Sequence, residues 1–257
     1  MKLSLVIPAR NEDGCIIQTL ERFTKVLSAN IGSFEIVVVD DGSTDATADR
    51  LRAFSALHPE VVPVTNTGRH GFGMAVRCGL PHTTGDAVAI VMADGSDSPE
   101  DLLKYYGKLE EGYDCVFGSR FIQGGSVVDY PRHKLLLNRM ANAFIRLLFG
   151  LSFNDITNAF KCYRREVIAG IQPLIAPHFN LTVEMPLKAL VRGYSYAVVP
   201  ITWTNRAAGV SKLKIKEMGS RYLFIVLYLW LEKTLARGDY HRTVAVPAEE
   251  KGAKINA

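Results

Sequence analysis

The chain has 257 residues, 48% of them hydrophobic, and a formal net charge of +4. That is enough apolar material for one large core and too little charge for a nucleic-acid binder, and no base-reading motif is present. The charge is uneven: acids gather at Asp40, Asp41, Asp94 and Asp97, while Arg and Lys accumulate after Gly118, which suits an anionic ligand or a membrane surface.

The first predicted strand is "LSLVIP"; Pro8 and Arg10 arrive before the apolar core of a signal peptide could form. An amphipathic helix over 14–27 follows, then the strand "EIVVVDD", and then a helix over 44–57 opened by the cap-rich "DGSTDAT". The strands "VVPVT" and "AVAIVMAD" come next, and Ser98 before Pro99 starts another helix, with Glu100 and Asp101 at its positive end. The strands are continuously apolar rather than alternating, as in a mostly parallel sheet covered on both faces, so the expected class is α/β and Rossmann-like with crossover helices. The four cysteines, Cys15, Cys78, Cys115 and Cys162, lack CxxC spacing and read as reduced core thiols.

Farther on, "KLLLNRMANAFIRLLFG" is amphipathic with cations on one face, as in a helix lying among lipid headgroups. "YLFIVLYLWL" is apolar all round but only half as long as the ~20 residues a spanning helix needs, so it is expected at the membrane interface or against a membrane-anchor protein partner. Core packing is the plainer reading of both segments. The division expected is 1–210 for the catalytic domain, 211–238 for an interfacial or packing helix, and 239–257 for a disordered tail.

Ligands of open α/β sheets bind beyond the carboxyl ends of the strands, and three strands here deliver acids to that rim. Glu12 follows the first, Asp40 and Asp41 close the second, and Asp94 closes the fourth. Adjacent carboxylates repel unless a cation or hydroxyls compensate. Asp94, Ser96 and Asp97 offer hard oxygen ligands suited to Mg²⁺ or Mn²⁺ bound jointly with a diphosphate. The spacing of Gly68, Gly71 and Gly73 also matches a dinucleotide loop, but no ribose-binding acid follows at a suitable distance.

In order and spacing, "VIPARNE", "VVVDDGSTD", "GRHGFGMAVRCG", "MADGSDSPEDL" and "GSRF" resemble the motifs of the family 2 glycosyltransferases, inverting enzymes of the GT-A fold that use nucleotide-diphosphate sugars. "NDITNAFKCYRREVI", "VEMPLKALVRGY" and "VPITWTNRAAGVSKL" narrow the resemblance to the polyprenyl-phosphate sugar transferases, the dolichol-phosphate mannosyltransferases most closely. The resemblance runs from Leu3 to about Lys233. It implies that Pro8, Arg10, Glu12, Asp40 and Asp41 line the nucleoside pocket, and that Asp94 holds the metal bridging the donor diphosphate. The family pattern Asp-Ala-Asp reads Met92-Ala93-Asp94 here, so Ser96 and Asp97 are expected to supply the missing oxygen. Arg120, Arg132, Lys134 and Asn138 are expected at the acceptor phosphate, Asn138 standing where the family often has serine. Arg206 and Lys212 are expected to stabilise the leaving nucleotide diphosphate, Lys212 from a mobile loop. Glu184 either orients a cationic side chain or caps its helix.

A lipid phosphate already presents an anionic oxygen, so the expected reaction needs no catalytic base. The expectation is sugar transfer, with mannose from GDP-mannose leading and UDP-glucose or another UDP-sugar as the alternative, at the cytoplasmic face of a membrane. Two other classes are weighed beside it. A polysaccharide synthase would carry a Gln-x-x-Arg-Trp motif and long membrane helices, which are absent from the sequence. A non-catalytic sugar-nucleotide-binding module finds its support in Met92.

Overall fold

The residues of β1 (Leu3–Ala9) bury alternately on two faces, Leu5 and Ile7 in one apolar cluster and Val6 in the other. A strand with both faces buried must lie inside a sheet covered on both sides. The computed structural model describes residues 1–205 and 215–242. After β1 come α1 (Ile16–Asn30), β2 (Phe34–Asp40), α2 (Thr47–Ser55), β3 (Val61–Thr65), α3 (Phe72–Gly79) and β4 (Ala87–Ile90). Then follow α4 (Pro99–Glu110), β5 (Cys115–Ser119), β6 (Ser126–Val128), α5 (Arg132–Phe149), β7 (Lys161–Arg164) and α6 (Arg165–Gly170). The last are α7 (Leu181–Val191), β8 (Tyr196–Pro200), β9 (Thr202–Thr204) and α8 (Ile215–Leu235).

Seven strands form one sheet in the order β3-β2-β1-β4-β7-β5-β8, and β6 pairs with β9 in a small second sheet. Every pairing is parallel except those of β7, which runs antiparallel between β4 and β5. The sheet is therefore mostly parallel, with Leu20, Phe23, Leu51 and Leu102 of α1, α2 and α4 in the cluster on one face. Val76, Ile145, Leu187 and Ile225, from α3, α5, α7 and α8, join the cluster on the other. Because β4 lies on the opposite side of β1 from β2 and β3, the strand order reverses between β1 and β4, the place where such sheets bind ligands.

Local chemistry moves several element ends from their expected places. The fourth strand stops at Ile90 rather than Asp94: the Val91 N–H still reaches Val6 O at 3.1 Å, but that of Met92 turns to the Asp97 carboxylate at 2.9 Å. The second helix begins at Thr47 rather than Thr44, because Asp45 accepts the N–H and the hydroxyl of Thr47 at 3.0 and 2.6 Å and holds 44–46 in a turn. Ser98 does cap α4, accepting from Asp101 N–H, with Pro99 in the first turn. α5 ends at Gly150, whose φ of +66° is the left-handed conformation that glycine adopts without strain.

The four cysteines are free thiols, Cys115 and Cys162 buried. α8 buries Ile225, Val226 and Leu229 and is tied to the end of α7 by the Arg192–Glu232 ion pair at 2.9 Å. At the start of the expected tail, Arg242 turns back to pair with Asp114 at 2.7 Å; residues 243–257 lie outside the described residues. Among the described residues no helix is long and apolar enough to cross a membrane.

Candidate active site

The turn after β4 is built by its own acids. Asp94 accepts the Ser96 N–H at 3.1 Å, and Gly95 supplies the positive φ of +72° that the reversal requires. From α1, Thr19 and Arg22 donate to the carbonyls of Ala93 and Gly95 and pin the turn to the sheet edge. Asp97 is 3% exposed; burial pushes its carboxyl up to about 7, with the Met92 N–H and Arg120 opposing and Asp94 and Asp101 adding.

Among the described residues no three His, Cys, Asp or Glu side chains converge into a metal cage. Mg²⁺ commonly takes only one or two carboxylates from the protein and completes its shell with water and substrate phosphates. The carboxylate of Asp94, with Ser96 and Asp97 beside it, fits a cation shared with a diphosphate rather than one held by protein alone.

The rim at the ends of β1, β2 and β3 is knitted from three loops. Asn11 N–H donates to Ser43 Oγ at 3.0 Å, Thr44 N–H to Asn11 Oδ1 at 2.8 Å, and Glu12 N–H to Thr47 Oγ1 at 2.9 Å. Asp40, the last residue of β2, accepts the Ser43 N–H at 3.1 Å. Pro8, Arg10 and Glu12 thus sit beside Asp40 at the carboxyl ends of neighbouring strands, with Arg10 exposed. Asp41 faces the other way: it accepts from Asn66 Nδ2 at 2.6 Å, Gly71 N–H at 2.8 Å and His70 Nδ1 at 3.2 Å, bracing the glycine-rich segment. A Cβ on Gly71 or Gly73 would strike the carbonyls of Pro177 or Ala176, so the close approach those glycines permit is to the 176–178 loop.

That loop is held from beneath by Glu184, fully buried, which accepts the N–H groups of Ile175 and Ala176 at 2.8 and 2.7 Å and pairs with Lys188 at 2.8 Å. Of the two roles weighed for Glu184, it orients a lysine; the backbone donors it holds belong to the preceding loop, so it does not cap its own helix.

Beyond the acidic turn opens a cavity of about 600 Å³. It is lined by Asp94, Ser96 and Asp97, by Arg120, Lys134 and Asn138, and by an apolar wall that includes Phe144 of α5 and Leu223 and Val226 of α8. Lys134, Asn138, Ala141 and Ile145 recur at helical spacing, so one face of α5 forms that wall. Asn138 donates to Thr157 Oγ1 at 2.8 Å and accepts from Asn142 at 3.0 Å.

Arg120, 7% exposed, is gripped by Asp155 through Nε and Nη2 at 2.8 and 2.7 Å, and its guanidinium lies within 6.0 Å of the Tyr130 and Trp203 ring centres. Lys161 donates its buried ammonium to the carbonyls of Ile156, Asn158 and Thr182, joining the loop before β7 to α7. Burial drives its pKa down to about 7, against the pull of Asp155.

Arg132 is exposed and does not line the cavity. Arg206 and Lys212 fall outside the described residues. Tyr130, Asp155, Lys161 and Trp203 went unremarked in the sequence. Asp155 and Lys161 do lie inside the motif "NDITNAFK", an irregular stretch whose two isolated charges were its signal.

A mostly parallel sheet with an acidic turn at its point of reversal, beside a cavity lined by acids, cations and apolar side chains, has the framework of the GT-A glycosyltransferases. A family model described as glycosyl transferase family 2 matches residues 4–171. The polyprenol monophosphomannose synthase of Mycolicibacterium smegmatis is 35% identical over 184 residues, covering 69% of each chain. The dolichol-phosphate mannosyltransferase of Pyrococcus furiosus is 32% identical over 219 residues, covering 84% of this chain and 60% of that one. Among solved structures, glucosyl-3-phosphoglycerate synthase of Mycobacterium tuberculosis with Mn²⁺ and UDP-glucose is similar in fold, with a TM-score of 0.66 at 22% identity over 90% of this chain and 78% of that one. The chain belongs to glycosyl transferase family 2. It is a glycosyltransferase.

Proposed function

We propose that the protein transfers mannose from GDP-mannose, with inversion, to a polyprenyl or dolichyl phosphate at the cytoplasmic face of a membrane. The reading is supported by the names of the two relatives above and carried by one observation: the acidic turn, the cations Arg120 and Lys134, and apolar residues of α5 and α8 all line one cavity. A donor diphosphate suits the acidic turn with its cation, an acceptor phosphate the basic side chains and an isoprenoid chain the apolar wall.

In this mechanism Pro8, Arg10, Glu12, Asp40 and Asp41 form the nucleoside side of the donor site, Asp41 by bracing its wall. Asp94, Ser96 and Asp97 would hold Mg²⁺ or Mn²⁺ together with the diphosphate, and the cation would supply positive charge against the leaving group. Lys134 and Asn138 meet the lipid phosphate in the cavity and Arg132 attracts it from outside, while Arg120 presents a cation whose direction Asp155 has fixed. The phosphate oxygen arrives charged, so alignment with the anomeric carbon and stabilisation of the departing nucleotide do the work, Arg206 and Lys212 serving the latter.

The membrane contact falls to α5 and α8. Leu136, Met140 and Leu147 of α5 are 63%, 60% and 85% exposed, and Phe224 and Leu235 of α8 are 61% and 70% exposed. Solvent-facing apolar rows on two helices that also wall the cavity suit a lipid surface through which the acceptor enters.

The test is to incubate purified protein with labelled GDP-mannose or UDP-glucose, a polyprenyl phosphate and Mg²⁺ or Mn²⁺, and to extract the lipid. Label is expected in the organic phase with GDP-mannose and not with Asp94→Ala. Label from UDP-glucose alone would overturn the donor assignment, and transfer to a soluble sugar alone would overturn the acceptor.

A further inference from the structure

His70 is an exposed residue in an unusually fixed place. Its ring lies against the backbone of Gly42, where a Cβ would meet ring atoms at 2.6 to 3.1 Å, and Gly42 has a φ of +71°. Its Nδ1 stands 3.2 Å from Asp41 Oδ1. Asp41 is 3% exposed and takes two further donors, the Asn66 amide and the Gly71 N–H. A carboxylate so occupied accepts only, so Nδ1 of His70 presents its proton to Asp41, while Cε1 and Nε2 lie over Gly42. The His70 side chain is nonetheless 42% exposed. A ring ordered in advance by a buried acid and a glycine cradle, with part of its surface still open to solvent, is built to meet something at low entropic cost.

Its position says what. Strand order reverses between β1 and β4, where Asp94 stands, and His70 follows β3 two strands beyond β1. Three interstrand steps of about 4.8 Å separate the two ends of this rim, roughly 14 Å. An extended nucleoside diphosphate with its phosphates at Asp94 lays its base toward β2 and β3. Asp41, already committed to three donors, is a poor reader of that base; the group standing outside it is His70.

Resting on the donor reading above, we propose that His70 is a specificity-determining residue of the donor site, its imidazole receiving the nucleobase on its exposed surface while Asp41 and Gly42 hold it in place. His70→Ala removes the ring and little else, since the residue is exposed. Gly42→Ala leaves the histidine but pushes its ring from the cradle.

The experiment is calorimetric titration of the full chain and both variants with GDP, UDP and inorganic pyrophosphate in Mg²⁺. Wild-type protein is expected to bind one nucleotide more tightly than pyrophosphate. His70→Ala should weaken that nucleotide about tenfold, the scale of a stacking or charged hydrogen-bond contact, and leave pyrophosphate unchanged. Gly42→Ala should act in the same direction. Equal binding of the nucleotide by wild type and His70→Ala, or equal weakening of nucleotide and pyrophosphate, overturns the role of His70 while the donor site stands. Failure of wild type to bind either nucleotide overturns both.

Discussion

Arg120 and Asp155 form a buried two-pronged ion pair, 35 residues apart in sequence, with N–O distances of 2.8 and 2.7 Å and a carboxylate that is fully buried. The Arg120 N–H also donates to Asp155 at 3.0 Å, so one carboxylate fixes both the backbone and the side chain of the residue after β5. Asp155→Ala leaves a guanidinium buried without its counter-charge and should destabilise the fold by about 3–5 kcal/mol, read by denaturant unfolding. Asp155→Glu should recover less than half of that, because the longer side chain misplaces the fork.

The carboxylates of the acidic turn should separate in their effects. Asp94→Ala is expected to abolish transfer at any concentration of Mg²⁺ or Mn²⁺. Asp97→Asn keeps an oxygen for the Met92 N–H and should weaken apparent metal affinity about 10–100-fold, as loss of a supporting group does, with activity returning at high metal. A metal titration of initial rates distinguishes them; identical behaviour would make Asp97 the equal of Asp94 as a ligand.

Membrane contact should be removable without loss of fold. Leu147 is 85% and Phe224 61% exposed, so Leu147→Glu and Phe224→Glu should each change stability by no more than about 0.5 kcal/mol. Both should reduce co-sedimentation with phospholipid vesicles. Unchanged co-sedimentation of the double variant would place the membrane contact elsewhere.

Glu35 predicts an acid limb in the stability profile. Burial raises its pKa, but hydrogen bonds from Lys2, Ser4 and Thr84 outweigh that and hold it at about 2. A depressed carboxyl stabilises the fold fully above its ordinary value of 4.5, and the contribution fades as pH falls from there toward about 2. Glu35→Gln should therefore lower the melting temperature at pH 6 by an amount that shrinks steadily between about pH 4.5 and 2. A difference independent of pH would mean that the charge contributes nothing.

Much of the sheet was legible because an interior parallel strand must be apolar on both faces, and "EIVVVD" and "AVAI" have no other comfortable setting. Asp40 could be placed at a strand end for the same reason. Asp94 was read as continuing its strand, since nothing local announces that Asp97 will reach back for the Met92 N–H. Asp41 looked like a ligand-facing partner of Asp40; its contacts with Asn66, His70 and Gly71 are made 25 to 30 residues away, beyond the reach of any local pattern.

By itself the sequence determined the fold class, the family and the acids on the rim, because hydrophobic period, capping residues and motif order act over short stretches of chain. Tertiary structure alone decided which charges face the cavity and which are spent holding the protein together. Arg120 became a fixed cation, Glu184 a brace and Lys161 a buried clamp. Such pairings depend on which loops the sheet order brings within hydrogen-bonding distance, and a buried charge has no stable place until its partner, dozens of residues away, has arrived.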